Sequence, residues 1–486
     1  MSIMVADHRH GQGHHFLVVI VAAQSHINPA RHLARRLART AKARVTITTP
    51  LSSHRRLFPG SSATAGELDD ATEEAPLNLD ASGVIAYAPY SDGFDDKDHL
   101  AAIDADLFMK KLKSVGSQTL ATLAHNFIAK GCPVTCILYT NILTWAADVA
   151  RDLSIPAIHY WIQPASVFAI YYHYFQGHPS FTFTAADEKD SSFSIELPGL
   201  PRLRMKDLPS IITTPNAYLS AHKEIFVELG KYEKPIVLMN TFHQLEASAI
   251  EGIPEMELIT IGPTVDMSSI PAEAVGKRDL FEEDTASGYM EWLDSQEERS
   301  VVYVAFGSWT QLTGRQVEEL DLGLKETGRP YLWVMRKDNR VEGIMLERDL
   351  KEGKGKVVEW CSQVRVLDHK AVGCFVTHCG WNSMSEAVTK GVSMVMLPQR
   401  IEQATNARLA EEAWGIGVTV EVGEDGVVEA AELMRGVEMV MGEGERAREI
   451  RRKTEEWKEK AKEVLCENGL ASKNLELFVN SLSKYK

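Results

Sequence analysis

The segment Gly373-Cys-Phe-Val-Thr-His-Cys-Gly-Trp-Asn-Ser383 joins an apolar run to a cluster of polar residues. The apolar run predicts a strand that ends at His378, and a helix is predicted to begin near Asn382 and Ser383. The free amides and the dipole of a helix start attract phosphate, and an imidazole adds a further donor. Gly380 lets the backbone approach a ligand closely. The segment predicts a phosphate site, although an ordinary α/β turn with a polar cap has the same pattern.

Residues on either side of this segment supply partners for the rest of a nucleotide sugar. Trp360 and Gln363 stand at the end of the preceding strand, and Glu386 lies about one turn into the helix. An aromatic face can stack on a base, and a carboxylate can accept hydrogen bonds from two ribose hydroxyls. Glu402 and Gln403 follow a later strand end and offer partners for sugar hydroxyls. Base, ribose, phosphate and sugar therefore each have a candidate partner.

A candidate base lies near the beginning of the chain, in Ala23-Gln-Ser-His-Ile-Asn-Pro29. The spacing predicts that His26 lies on a loop between the first strand and the first helix. An imidazole titrates near neutrality, so it can take a proton from an acceptor hydroxyl. Since most single histidines are structural or exposed, His26 alone is a weak signal.

Together these residues resemble the plant secondary product glycosyltransferase box, the signature of plant UDP-dependent glycosyltransferases. The match is carried by Trp360-Cys-Ser-Gln363, His378-Cys-Gly-Trp-Asn-Ser383, Glu386, Pro398 and Glu402-Gln403. It continues upstream in Trp292-Leu-Asp-Ser295 and Val302-Tyr-Val-Ala-Phe-Gly-Ser308.

The resemblance implies an inverting, metal-independent transfer of glucose from UDP-glucose, which acts as co-substrate with no further cofactor. One position departs from the pattern, because Arg400 stands where an aromatic residue is common. The implied donor-binding residues are, for the uracil, Trp360 and Cys361; for the ribose, Gln363 and Glu386; for the diphosphate, Ser308, His378, Asn382 and Ser383; and for the sugar, Trp381, Glu402 and Gln403.

The resemblance also makes His26 the general base, and many members orient this histidine with an aspartate at the end of a later strand. Thr140 occupies that position here. A hydroxyl cannot supply the missing negative charge. Either Thr140 alone orients His26, or an acid from the stretch Asp92, Asp95 and Asp96 approaches it.

The acceptor is less constrained than the donor. Tyr90–Asp96, Asn141–Trp145 and Trp161–Pro164 resemble the subgroup that contains anthocyanin 5-O-glucosyltransferases and glucose-ester-forming enzymes. A flavonoid or other phenolic hydroxyl is the expected acceptor, with ester formation on a carboxylate or C-glycosylation as alternatives. A catalytically silent binding protein and a sugar-nucleotide epimerase are rivals of different classes. The aromatic run Phe168–Phe175 predicts either a core helix or an acceptor pocket wall.

The surrounding pattern indicates how these residues are positioned. Short apolar runs alternate with helical stretches in both halves of the chain, which predicts parallel sheets covered by helices. Two facing, Rossmann-like, doubly wound domains with a ligand cleft between them, the GT-B fold, are expected. The predicted parts are an acceptor domain over 1–265, a linker over 266–288, a UDP-sugar domain over 289–460, and a C-terminal helix over 461–486 that packs back on the first domain.

Composition narrows the class further. A chain of 486 residues is long enough for two domains. Its formal charge of −15 disfavours binding to nucleic acid or to an anionic membrane. Six scattered cysteines and no apolar stretch of about 18 residues predict a reduced, cytoplasmic protein without membrane insertion. Asp104 and Asp106 lie two apart on a predicted helix and point in different directions, so no metal site is expected. A monomer is expected.

Overall fold

The computed structural model describes residues 13–74, 83–96, 104–183, 193–265, 280–281, 283–339, 354–423 and 425–482. The predicted linker over 266–288 lies largely outside these residues. No helix in the described ranges is both long enough and apolar enough to cross a membrane.

The first half of the described chain forms an eight-stranded sheet. Seven strands run parallel, and the edge strand pairs antiparallel with its neighbour. The central strands are buried along their whole length, as their continuous apolar runs require when helices cover both faces. In spatial order the strands are Glu257–Thr260, Ile236–Met239, Ala157–Trp161, Cys136–Tyr139, His15–Val19, Arg44–Pro50, Val84–Tyr90 and Asp69–Glu74.

Helices of very different length connect these strands. The first one contains Pro29 in its interior and has no side-chain cap at its start. A two-stranded ribbon of Ser194–Ile195 and Leu203–Arg204 lies outside the sheet. The helices are Gln24–Thr40, Leu51–Leu57, Ala105–Ala129, Trp145–Asp152, Ala165–Phe175, Ser210–Thr213, Ala217–Leu229 and His243–Glu251, with short 3-10 turns at Pro179–Phe181 and Met205–Asp207.

The second half forms a six-stranded sheet whose pairings are all parallel. Its strands, in spatial order, are Gly355–Val358, Tyr331–Val334, Val301–Ala305, Val372–Thr377, Ser393–Met396 and Gly417–Thr419. Its helices are Tyr289–Asp294, Gly314–Glu326, Gln363–Leu367, Trp381–Lys390, Gln403–Arg408, Ala430–Met441, Glu445–Leu465 and Leu470–Ser481, with 3-10 turns at Thr285–Ser287 and Lys337–Asn339 and a π-helical turn at Leu409–Ala413.

Each sheet has one place where the chain reverses the direction in which it adds strands. In the first sheet this place lies between His15–Val19 and Cys136–Tyr139, and in the second between Val301–Ala305 and Val372–Thr377. Neighbouring crossover connections diverge there and leave a crevice at the carboxyl ends of the strands, where ligands bind in open α/β sheets. The fold therefore provides one crevice in each half.

The last helix returns to the first half. Helix Leu470–Ser481 contacts the first helix and strand Glu257–Thr260. Its residues Leu475 and Phe478 belong to the hydrophobic cluster under the first sheet. The preceding helix, Glu445–Leu465, continues through residue 461, where the sequence analysis placed a domain boundary.

The two parallel α/β sheets match the predicted fold class. One difference concerns the position of the candidate base. His26 lies in the first turn of helix Gln24–Thr40 rather than on a loop before it.

Candidate functional site

A cavity of about 560 Å³ lies between the two halves, at the carboxyl ends of both sheets. Every predicted donor-binding residue and His26 line it. Thr140 lies directly behind His26. The other lining residues that matter below are Phe108, Asn141, Ile142, Ile162, Gln163, Ser210, Ile211, Tyr218, His222, Tyr303, Gly307, Trp309, Thr310 and Arg400.

The predicted phosphate site forms at the crevice of the second sheet. Strand Val372–Thr377 ends at His378, and helix Trp381–Lys390 begins directly after Gly380. The His378 ring fits between two glycines, since a Cβ on Gly307 or Gly380 would come within 2.6 Å of its Nε2 atom. Burial lowers the pKa of His378 to about 4, so the ring is neutral at neutral pH. A neutral imidazole and free helix amides therefore face the cavity together.

A buried arginine that sequence reasoning missed supports this site. Arg336 donates hydrogen bonds to the backbone oxygens of Gly307 and, at 2.9 Å, of Thr310. It thereby holds the turn that carries Ser308, whose glycine has a φ of 69°. Its positive charge contributes to the lowered pKa of His378. The available signal was its place just after strand Tyr331–Val334, on the same edge of the sheet.

The residues predicted for the nucleoside form a connected network. The Gln363 Nε2 atom donates to Glu386 Oε2 at 2.7 Å and to Ser383 Oγ at 2.9 Å. The hydroxyl of Tyr303 donates to Gln363 Oε1 at 3.3 Å and lies 3.5 Å from the buried Cys361 sulfur. Tyr303 is a second residue that was not predicted from the sequence, because an aromatic residue in an apolar strand has the pattern of an ordinary core residue. The network holds the Glu386 carboxylate in place at the cavity wall.

The residues predicted for the sugar are anchored by the first half and by their own loop. Glu402 accepts a hydrogen bond from Gln163 Nε2 at 2.9 Å, and burial raises the pKa of Glu402 to about 7. The Trp381 indole nitrogen donates to the Asn240 backbone oxygen at 2.8 Å, which fixes the orientation of its ring at the cavity wall. The Gln403 side-chain oxygen accepts from two backbone amides of its loop, at 2.9 and 3.1 Å.

Arg400, the position that departs from the family pattern, is exposed at the rim of the cavity. Its backbone amide is one of the two that bind Gln403. The next residue, Ile401, exchanges two hydrogen bonds with Ser210 of the first half, at 2.7 and 2.8 Å. The loop is therefore fixed by its backbone, independently of the Arg400 side chain.

The crevice of the first sheet brings together His26 and Thr140. The His26 Nδ1 atom lies 2.9 Å from Thr140 Oγ1, and that hydroxyl lies 3.4 Å from the Val19 backbone oxygen. Since the hydroxyl can only donate to the carbonyl, it accepts from His26, and the proton of the ring is on Nδ1. Burial lowers the pKa of His26 to about 3. The ring is thus neutral, with the lone pair of Nε2 free.

The acidic stretch takes no part in this arrangement. Asp92 is buried and accepts from the Phe94 amide at 2.9 Å, Asp95 accepts from Ser91 Oγ at 2.9 Å, and Asp96 pairs with Arg55 at 3.5 Å. None of the three lines the cavity among the described residues. Of the two alternatives for the partner of His26, the geometry favours Thr140.

The aromatic run of the first half is a core helix. Phe168 and Tyr171 of helix Ala165–Phe175 are fully buried and pack on Trp161. No residue of this helix lines the cavity within the described chain. The acceptor side is lined instead by scattered side chains, among them Phe108 and Tyr218, which no local pattern marks.

Comparison with known proteins agrees with this site. Residues 270–451 match the family described as UDP-glucoronosyl and UDP-glucosyl transferase. The chain is 39% identical to crocetin glucosyltransferase of Gardenia jasminoides, over 97% of this chain and 98% of that protein. It is also 39% identical to anthocyanidin 3-O-glucoside 5-O-glucosyltransferase 1 of Perilla frutescens, over 96% and 98%.

The fold also resembles solved structures of glycosyltransferases. The crystal structure of Os79 from O. sativa in complex with UDP superposes on this chain with a TM-score of 0.79 and 30% sequence identity. The superposition covers 97% of this chain and 100% of the Os79 chain. With two parallel α/β sheets of the GT-B type and the residues of the donor signature lining the cleft between them, this chain belongs to the plant UDP-glycosyltransferases, enzymes that transfer a hexose from a UDP-sugar.

Proposed function

We propose that this enzyme transfers glucose from UDP-glucose to a hydroxyl of a flavonoid or related phenolic, and that it forms a β-O-glucoside with inversion at the sugar carbon. The observation that carries the proposal is the pairing of His26 with Thr140 in a cavity that both halves line. Relatives named for action on phloretin and on anthocyanidin glucosides support the phenolic class.

The transfer is a single displacement in which the protein supplies a base and a diphosphate site. The free Nε2 of His26 takes the proton of the acceptor hydroxyl while the oxygen attacks the sugar carbon and the bond to UDP breaks. A phenol has a pKa of about 10, so it gains from such a base. The start of helix Trp381–Lys390, with His378, stabilises the charge that develops on the leaving diphosphate.

In the donor site, Trp360 and the Cys361 backbone bind uracil, and Gln363 and Glu386 bind the ribose. Glu402 and Gln403 bind the sugar hydroxyls with the Trp381 ring beside them. The diphosphate is met by helix amides and neutral donors without a metal ion. The Arg400 backbone amide binds Gln403. The Arg400 side chain is either a neutral surface substitution or a contributor to the choice of sugar, and donor screening of Arg400→Trp distinguishes the two.

The proposed division of the chain is an acceptor domain over 1–265, a linker over 266–288, a UDP-sugar domain over 289–460 and a returning C-terminal helix. Leu475 and Phe478 pack in the hydrophobic cluster under the first sheet, which supports the return of the C-terminal helix to the acceptor domain. A cytoplasmic monomer is proposed as well. Six free cysteines suit a reducing compartment, and a charge of −15 opposes self-association. Light scattering of the purified chain tests the monomer.

The decisive experiment is His26→Ala, assayed with UDP-glucose and a panel of flavonoids. We expect transfer to phenolic hydroxyls to fall at least 100-fold, within the range for loss of a general base, while calorimetry finds UDP affinity unchanged. Undiminished turnover would reject His26 as the base. A wild-type enzyme that releases no UDP with any acceptor would instead support a silent binding protein.

One observation favours a second candidate, the formation of glucose esters. The partner of His26 is a neutral hydroxyl, and burial keeps the ring uncharged. A carboxylate acceptor is already ionised at neutral pH and needs no base. If His26→Ala retains transfer to carboxylic acids while losing phenols, ester formation becomes the better assignment.

A further inference from the structure

A second aromatic ring stacks on Trp360. The Phe281 ring centroid lies 4.3 Å from that of Trp360, and the two ring planes are only 22° apart. Of these two rings only Trp360 lines the cavity. Phe281 therefore covers one face of the Trp360 ring without itself lining the cavity.

The first half of the chain holds Phe281 in this position. The Arg56 guanidinium lies 5.6 Å from the Phe281 centroid, within cation–π range, and donates a hydrogen bond to the Leu280 oxygen. The Leu280 amide donates to Gln24 Oε1 at 2.8 Å. Gln24 in turn donates to Asn28 Oδ1 at 2.6 Å, within the helix that carries His26. Both backbone groups of Leu280 are thus paired with side chains of the first half.

We propose that Phe281 is a positioning residue for nucleotide binding, which holds the Trp360 ring in the orientation that stacks on the base. This inference rests on the proposed role of Trp360 as the uracil platform. A ring that is already stacked on one face loses little conformational freedom when a base covers the other face. The entropy cost of ordering the Trp360 side chain is therefore small when the nucleotide binds. The anchors Arg56 and Gln24 make this platform depend on the acceptor-binding half.

The first test is Phe281→Ala, with UDP affinity measured by calorimetry and steady-state kinetics measured with UDP-glucose. We expect UDP to bind about 5- to 10-fold more weakly and the KM for UDP-glucose to rise in parallel, with kcat within about twofold of wild type, as for loss of one aromatic stacking contact. Phe281→Tyr keeps the ring and should restore the affinity. Phe193→Ala, at a partly buried ring in edge contact with Phe183, is the matched control that should change neither value.

A double-mutant cycle separates this inference from the proposed function. Trp360→Ala alone tests the platform, and unchanged UDP affinity in that variant would remove the proposed role of Trp360. If the platform stands, Phe281→Ala added to Trp360→Ala should change the affinity by less than about twofold, because Phe281 acts through the missing ring. Fully additive losses would overturn the positioning role.

One further variant tests the positioning role if Phe281→Ala is unstable, and one further outcome would reject that role if Phe281→Ala folds. Arg56→Ala changes an exposed side chain and should weaken UDP about two- to threefold through Phe281. No effect in this variant would reject the anchoring by the first half. Tighter UDP binding in Phe281→Ala would show that Phe281 occupies the place of the base and competes with it.

Discussion

Asn382 donates a hydrogen bond from its side-chain amide to the backbone oxygen of Ser25 at 2.9 Å, across the cleft between the two halves. Ser25 precedes His26, and its backbone oxygen is available to Asn382 because it has no i+4 donor within its own helix. In an α-helix this oxygen would accept from the amide four residues on, but that residue is Pro29, which has no amide hydrogen. Pro29 thus leaves the Ser25 oxygen able to accept the hydrogen bond from Asn382 of the second half.

The role of Pro29 can be tested by Pro29→Ala. The new amide hydrogen would compete with Asn382 for the Ser25 oxygen and loosen this contact between the halves. We expect the melting temperature to stay the same or rise slightly, while kcat/KM falls about threefold or more, the effect of one weakened hydrogen bond. Pro179→Ala, in a 3-10 turn outside the cavity lining, is the control. Equal kcat/KM for Pro29→Ala and wild type would show that the contact has no kinetic role.

Thr140 should act through the orientation and tautomer of His26. Thr140→Val removes the acceptor for Nδ1–H, so transfer to a phenol should fall about 10-fold, less than for complete loss of a general base, whereas Thr140→Ser keeps the hydroxyl and most of the rate. The measurement is kcat with UDP-glucose and a saturating flavonoid. If Thr140→Val has the kcat of Thr140→Ser, the hydroxyl does not orient the base.

The pH dependence of the base follows from its environment. Burial lowers the pKa of His26 to about 3, so the ring remains unprotonated above about pH 5. It should therefore cause no acid limb in kcat/KM above pH 5. Thr140→Asp places a negative charge beside the ring, raises its pKa, and should bring an acid limb into the measurable range. An unchanged profile in that variant would argue against His26 as the titrating base.

The bond from Gln163 to Glu402 predicts a pH-dependent donor site. Burial raises the pKa of Glu402 to about 7, and a hydrogen bond from Asn406 opposes this increase. The Gln163 amide also donates to the Glu402 carboxylate, and such a bond favours the ionised form. Gln163→Leu removes that donor and raises the pKa further, so the KM for UDP-glucose should increase several-fold at pH 7 and recover towards pH 9. Profiles of KM against pH for both enzymes provide the measurement. An increase in KM that is equal at pH 7 and pH 9 would mean that Gln163 acts by shape alone.

Buried histidines predict the direction of acid unfolding. Burial lowers the pKa of His15 and His222 to about 4 and of His159 to about 3, below the unfolded value of 6.5. Below pH 6.5 the unfolded chain binds more protons, so the free energy of unfolding falls as the pH decreases, by up to ~1.4 kcal/mol per pH unit for each ring. Urea unfolding at pH 7, 6 and 5 measures the slope. His159→Phe should make it shallower, and an unchanged slope would exclude His159 as a contributor.

The donor half of the site was predictable because its residues are close together in the chain. One strand, one turn and one helix start carry His378, Asn382 and Ser383, so periodicity and capping chemistry indicate their common position. Arg336 and Tyr303 were missed because their roles depend on contacts with turns far away in the sequence. The register that brings Thr140 behind His26 likewise comes from pairing between strands more than a hundred residues apart.

The acceptor side could not be read from sequence for the same reason. Phe108, Ile142, Ile211 and Tyr218 come from four separate segments, and each alone has the pattern of an ordinary core or surface residue. The aromatic run near Tyr171 attracted attention through its composition, yet its side chains fill the interior. Aromatic content therefore indicates burial here and gives no information about the acceptor.

The return of helix Leu470–Ser481 to the first sheet limits how this enzyme can be recombined. Leu475 and Phe478 fill space among residues of the first half, and Asn474 donates to the Thr260 oxygen at 2.8 Å. In a chimera that takes all residues after 288 from a relative, the last helix of the relative would have to pack against the hydrophobic core of this chain's first half. Exchange of acceptor preference between relatives should succeed best when residues 470–482 travel with the first half, as one discontinuous module.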